Sequence, residues 1–192
     1  LGPDGNRRFI ALDELESLLA PTLLCLLCRP AVLTPIQGHY AELLLEHSCQ
    51  LSLLPSASAS LFHERHYICG PRNFQHFTRG VLILFYESSK KGGQSAVIAI
   101  ARVRQAYLKK YEEMSNKDLK QSIFKKTNIG VLGKSEMKTV VVFDNTFILP
   151  RSIPLETLRR LGCGSSTRLM STKPITDSQL QGILTEAFCY AG

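Results

Sequence analysis

Two apolar runs, Val81–Tyr86 and Ala96–Val103, stand out from the more mixed sequence around them. Each is too short for an ordinary buried helix. The first is bracketed by Gly80 and by Lys91-Gly92-Gly93, so both read as buried strands. The Ser88–Gln94 segment between them contains Gly92-Gly93, which tolerates positive φ, and makes the pair a hairpin or close neighbours. Phe85, Tyr86, Glu87 and Ser88 then emerge at one rim, and Arg102 and Arg104 alternate along the exit of the second strand.

The rest of the pattern alternates helices with strands. Ala11–Leu19 places Leu12, Leu15, Leu18 and Leu19 on one face of a short helix that ends near Pro21. Thr22–Cys28 and Val32-Leu33 read as strands. His39–His47 has the spacing of a helix opened by Pro35-Ile36-Gln37. Ser52–Ser60 is a Ser/Ala/Pro-rich loop. His66–Cys69 and Lys138–Phe143 are further strands, Lys117–Lys126 a solvated helix, and Pro150–Pro154 a loop before a short helix at Leu155–Leu161. A last helix opens at Thr176, with Leu180, Ile183, Leu184 and Phe188 as its buried stripe. Five or six strands with helices between and after them define an α+β class rather than a doubly wound parallel sheet.

Composition adds an asymmetry. The 192 residues are 44% hydrophobic, enough for one core, and carry a formal net charge of +7. Residues 1–60 hold three basic and six acidic side chains, whereas 61–192 hold 20 basic and 10 acidic. The basic surplus therefore belongs to the part with the strands, and it points to phosphate-bearing partners. The six cysteines are scattered in apolar company, which fits a reducing, cytoplasmic setting. Cys25-Leu26-Leu27-Cys28 has metal-ligand spacing but no second pair, and reads as buried packing rather than zinc. Leu18–Cys28, broken by Pro21, falls short of the roughly 18–20 apolar residues of a membrane helix. Nothing calls for a cofactor or a membrane. The chain begins at Leu1, and residues 1–30 read as an N-terminal arm or the remnant of an upstream domain, with the main domain at 31–192.

Catalytic patterns are thin. His63-Glu64-Arg65-His66 lacks the spacing of a zinc-binding helix and reads as a solvated or phosphate-facing loop. Arg159-x-x-Gly162-x-Gly164 imitates a pyrophosphate loop, but no strand leads into it and the glycines read as a helix stop. There is no Walker loop, no paired-carboxylate motif and no G-x-S-x-G.

Several segments together resemble a known superfamily: P-I-x-x-x-Y-A-E-L-L-L at Pro35–Leu45, R-G-V-L-I-L-F-Y-E-S at Arg79–Ser88, A-I-A-R-V at Ala99–Val103, V-V-V-F-D-N at Val140–Asn145, and L-P-x-x-I-P-L-E-T-L-R-R-L-G at Leu149–Gly162. Over about residues 31–188 the chain is similar to PUA-like domains, most of all to their ASCH and EVE branches. The resemblance implies a small twisted β-barrel with a helix after the first strand and a cleft beside Phe85–Ser88. It also implies binding of RNA or of a modified base in nucleic acid. In prokaryotes such modules are appended to other domains, so a fused or neighbouring protein is a further expected partner. ASCH proteins commonly carry G-x-K-x-x-E-x-R after the helix. Here Glu46–Leu53 replaces every one of those positions, which removes the expected lysine and glutamate.

The resulting expectation is a nucleic-acid-binding module with no catalytic residue. Tyr86 and Ser88 offer a cleft, and an exposed Tyr86 or Tyr67 ring stacks on a base for about 1–3 kcal/mol. Phe85 reads as core. Arg102 and Arg104 meet a phosphate or a base edge, Asp144 or Asn145 reads a Watson–Crick edge, and Arg65, Arg72, Lys134 and Lys138 supply the salt-sensitive attraction. Two alternatives stand beside it. One is an ASCH-like ribonuclease or amide hydrolase using a displaced set such as His66, Lys134 and Asp144. The other is a protein-interaction module regulating a toxin or acetyltransferase.

Overall fold

The computed structural model describes residues 9–45, 63–89, 92–123, 135–164 and 169–189. Its strands are β1 (Ala31–Gln37), β2 (Arg65–Cys69), β3 (Leu82–Ser88), β4 (Ala96–Lys110), β5 (Met137–Pro154) and β6 (Lys173–Ile175). The helices are α1 (Leu12–Leu18), α2 (Gly38–Leu45), α3 (Asn116–Lys120), α4 (Leu155–Arg160) and α5 (Asp177–Phe188). No described helix is long and apolar enough to cross a membrane.

The strands form one mixed sheet in the order β2-β5-β4-β3-β1-β6. β1 and β3 run parallel, and every other pair is antiparallel. β3 lies inside the sheet with apolar cover on both faces, which is why its sequence is apolar without alternation. On one face Val32, Ile36, Ile83, Phe85, Ile98 and Phe143 pack against Ala41 and Leu44 of α2. On the other, Leu33, Leu82, Leu84 and Val97 pack against Leu158 of α4 and Leu180 and Ile183 of α5.

β4 and β5 are long, at 15 and 18 residues, and bulges bend them. Their pairing shifts register between Val97 and Ala99, between Ile100 and Arg102, and between Val103 and Gln105, and each extra residue sharpens the curl. The α+β class is as expected, but three details differ. First, the sheet curls without closing: β2 and β6 are its two edges. β1 pairs with β6 only over Ala31–Leu33, so its Thr34–Gln37 end faces β2 across a gap. The link there is a side chain, the Tyr67 hydroxyl donating to the Pro35 carbonyl at 2.9 Å. Second, Pro150–Pro154 is not a loop, since β5 runs through it to Pro154. Ile148 pairs with Ala99 and Ile153 with Val97, so Pro150 falls in the bulge, where a missing N–H breaks no ladder bond. Third, Thr22–Cys28 is not a strand. Side chains satisfy its backbone instead: Leu24 N–H donates to Glu16 at 2.6 Å, and Arg29 donates to the Leu24 carbonyl at 2.5 Å.

Helix α3 also stops at Lys120, well before Lys126. The Ser52–Ser60 loop and the last turn expected of the His39–His47 helix lie outside the described residues. Cys28, expected to be buried, is exposed.

Candidate functional site

The unclosed gap between β1 and β2 opens into a cleft of about 450 Å³. Pro35, Ile36 and Gln37 from the end of β1 form one wall, and Tyr40 and Leu44 of α2 extend it. His66, Tyr67, Ile68 and Cys69 of β2 form the opposite wall, continued by Gly70 and Asn73. Tyr86, Ser88 and Ser89, from the end of β3 and just beyond, close one end with Ser95. The register that sets Pro35 beside Tyr86 and Gln37 beside Ser88 fixes these groups relative to one another.

Close backbone packing holds that end. A Cβ on Gly93 would fall 1.9 Å from the Ser88 carbonyl oxygen, and one on Gly38 would fall 2.8 Å from Glu87 Oε1. Only glycine lets the hairpin end and the start of α2 approach this closely. Tyr67 is equally fixed, its ring 5.9 Å from that of Phe85 and 6.5 Å from that of Phe77, both edge-on. Burial pushes its hydroxyl well above the usual tyrosine range. Cys69 is likewise pushed up, to about 12, by burial, so it stays a thiol.

The cleft's chemistry is neutral. Among the described residues that line it there is no lysine, arginine or carboxylate. The strongest polar feature is His66, 2% exposed, whose two ring nitrogens have no hydrogen-bond partner. Nδ1 lies 3.5 Å from Asp118 Oδ1. Asp118 is itself held by Tyr107, by Lys109 at 2.8 Å and by Ser115, whose hydroxyl, at 2.7 Å, shares a capping box with it. Burial alone would raise the Asp118 carboxyl, but these bonds outweigh it and hold it well below the usual range. For His66 burial dominates and lowers the pKa, with Asp118 opposing, so the ring is neutral near pH 7.

The residues expected to form one site divide between two places. Tyr67, Tyr86 and Ser88 line the cleft. Tyr86, however, is 4% exposed and packed in the α4/α5 core, so it has no bare ring face to offer a base. Arg72 is exposed next to Asn73. Arg65 turns to the end of α2, donating to the Leu44 carbonyl at 3.0 Å, one of the carbonyls a helix end leaves unpaired. Lys138 is 2% exposed inside β5, and burial pushes its ammonium down; it is not a surface cation. Lys134 lies outside the described residues.

The second place is where the N-terminal arm meets the sheet. Arg102 is fully buried, with Nε and Nη2 on the two oxygens of Asp144 at 2.8 and 2.7 Å. Its Nη1 donates to the Asp13 carbonyl at 2.7 Å and to Glu16 at 3.1 Å. Arg29 also grips Glu16, at 2.5 and 3.0 Å. Arg104, partly exposed, donates to Ser17 at 2.7 Å and lies 3.5 Å from Asp144. Asn145, with φ 46°, is 4% exposed and donates to the Thr22 carbonyl at 2.6 Å. Arg102, held by Asp144, and Asn145 therefore bind the arm rather than a base or a phosphate. Asp144 is spent on Arg102, and the carboxylate beside His66 is Asp118. Nothing in the sequence joins Asp118, Asn73 or Tyr40 to His66, because only the sheet topology makes them neighbours. Among the described residues, no group of three or more His, Cys, Asp or Glu could hold a metal ion.

No family model matches the chain, and no curated protein matches it by sequence. Solved structures do. The ASCH protein from Zymomonas mobilis superposes with a TM-score of 0.60 at 10% identity, over 81% of this chain and 94% of that one. A serine-to-alanine variant of the same protein reaches 0.63 at 9% identity, over 84% and 99%. The fold is that of the ASCH proteins. A likeness at this identity shows the fold alone and nothing about chemistry. The human THYN1 protein, solved in complex with DNA containing 5-methylcytosine, is a looser match, with a TM-score of 0.46 at 14% identity over 84% of this chain and 99% of that one.

Proposed function

We propose that this ASCH-fold chain is a cytoplasmic nucleic-acid-binding module that takes one unstacked base of RNA, or a modified base, into the β1–β2 cleft without reacting with it. The observation that carries the reading is the contrast between the cleft and its surroundings. A neutral pocket of about 450 Å³, walled by aromatic rings and by hydroxyl, amide and imidazole groups, matches the size and mixed polarity of small-molecule sites. Exposed cations adjoin its lining residues in the chain without lining it: Arg72 beside Asn73, and Lys120 and the Glu64-paired Lys117 on α3, which precedes the lining residue Ile123. Such a division suits a nucleotide whose base goes in and whose phosphates stay outside.

The test is binding of a fluorescent single-stranded RNA octamer between 50 and 300 mM salt, with free nucleosides as competitors. The reading expects salt-sensitive octamer binding, loss of about 0.7 from the log–log salt slope in Arg72→Ala if that residue meets one phosphate, and nucleoside competition that salt scarcely alters. Octamer binding that no nucleoside competes away, and that Ser88→Trp leaves untouched, would overturn it.

A further inference from the structure

His66 is an anomaly in the cleft wall. Buried polar groups are almost always paired, and leaving one unpaired costs about 1–3 kcal/mol. Here a side chain that is 2% exposed leaves both ring nitrogens without a hydrogen bond, on a wall of the cleft. Its backbone is fully anchored by contrast. The His66 N–H donates to the Gln121 carbonyl at 2.8 Å, and the strand is paired to Val142 of β5. The ring is thus carried on an anchored strand, with Asp118 Oδ1 3.5 Å from Nδ1, yet its hydrogen-bonding capacity is unused.

The orientation decides which capacity is free. Nδ1 is the nitrogen nearer the carboxylate, at 3.5 Å from Asp118 Oδ1. An ionised Asp118 favours the tautomer with its proton on Nδ1, which leaves Nε2, across the ring, as an acceptor. Asp118 cannot turn away, because Tyr107, Lys109 and Ser115 hold both of its oxygens. The charged groups that act on the ring are Asp118 and Lys117 from α3, Lys109 from β4 and Glu64 just before β2.

We infer that His66 is the specificity residue of the cleft: its Nε2 accepts a hydrogen bond from the exocyclic amine of the bound base, with Asp118 as the positioning residue that fixes the tautomer. The inference rests on the base-binding reading above and adds the class of base, one with an amino group. Uncharged His66 is the accepting form, and burial, which lowers its pKa, keeps it uncharged at neutral pH. Acid converts Nε2 into a donor and removes the acceptor.

Cytidine and adenosine, each against its N,N-dimethylated analogue, are the probes, with affinity measured by calorimetry from pH 7.5 to 5.5. The expected result is that dimethylation weakens binding by about two- to tenfold, the ordinary worth of one neutral hydrogen bond. Affinity for the parent nucleosides should fall as the pH drops through the folded-state pKa of His66, which burial holds below the ordinary histidine value. His66→Phe should bind about two- to tenfold more weakly with a flat pH profile. His66→Gln, whose amide oxygen still accepts, should retain most of the affinity with an equally flat profile. Affinity that rises on acidification, or an acid response that survives in His66→Gln, would overturn the role of His66 while leaving base binding intact. Failure of every nucleoside and of the RNA octamer to bind at pH 7.5 would overturn the base-binding reading and this inference with it.

Discussion

Two clusters of buried polar groups lie at different places on the same sheet, and they are built on opposite principles. Around Arg102, every charged group is answered, although Oδ1 of the neighbouring Asn145 has no hydrogen-bond partner. Asp144, Glu16, Asp13 and Ser17 surround the guanidinium, and Glu16 in turn takes Arg29 and the Leu24 N–H. Around His66, Asp118 is fully answered, but the imidazole is not. A buried network with its partners complete fixes a shape, here the docking of residues 12–29 against β4 and β5. A buried group left incomplete on the wall of a cleft costs stability, and the cost makes sense where an incoming molecule completes it.

The sharpest way to break the comparison is to remove the centre of the complete cluster. Arg102→Met takes from the buried Asp144 its bidentate partner, leaving Arg104 at 3.5 Å, and from Glu16 the weaker of its two arginines, and unfolding in denaturant should show a loss of about 3–5 kcal/mol. Acid attacks the same cluster. The Glu16 carboxyl is held below its ordinary value near 4.5: burial opposes this, but the bonds from Arg29 and Leu24 outweigh it. A lowered carboxyl pKa contributes stability that is fully present above the unfolded value and is lost as pH falls through the folded one. Stability measured down a pH series should therefore fall progressively below about pH 4.5, and Glu16→Gln should flatten that fall while lowering the neutral-pH plateau.

Next in size comes the mouth of the cleft. Gly93→Ala forces a Cβ to within 1.9 Å of the Ser88 carbonyl unless the backbone moves. A loss of about 1–3 kcal/mol is expected, with displaced Ser88 and Gln37 amide signals by NMR. The smallest effect belongs to the incomplete cluster. His66→Phe keeps a ring of similar size and deletes two unpartnered nitrogens, so its neutral-pH stability should stay within about 1 kcal/mol of the parent or rise. The parent should also lose stability as pH falls below 6.5, where the unfolded His66 takes up protons that the folded one resists, and His66→Phe should lack that component.

Much of this was legible in the sequence. The apolar runs located β3 and the start of β4, the hairpin between them, and Phe85 as core. Periodic apolar positions located α1 and α5, the latter capped by Thr176, and Pro154 with Gly162 bracketed α4. What stayed hidden depended on contacts far apart in the chain. Arg102 looked like a rim cation because its strand alternates, yet an arginine in an A-I-A-R-V run lies among buried neighbours, and only Glu16 and Asp144 make that tolerable. Pro150 looked like a loop because a proline breaks a regular ladder, but a bulge excuses it. The cleft itself is the space where β1 and β2 fail to pair, and no local pattern records a pairing that does not form.

The measurement that bears most directly on the central claim is a backbone amide NMR titration of the full chain with cytidine and adenosine at pH 7.5. Shifts concentrated at Gln37, His66–Asn73, Ser88 and Ser89, and absent around Glu16, Arg102 and Asn145, are what the account predicts. Shifts centred on Arg102 and the N-terminal arm, with the β1–β2 cleft silent, would contradict it.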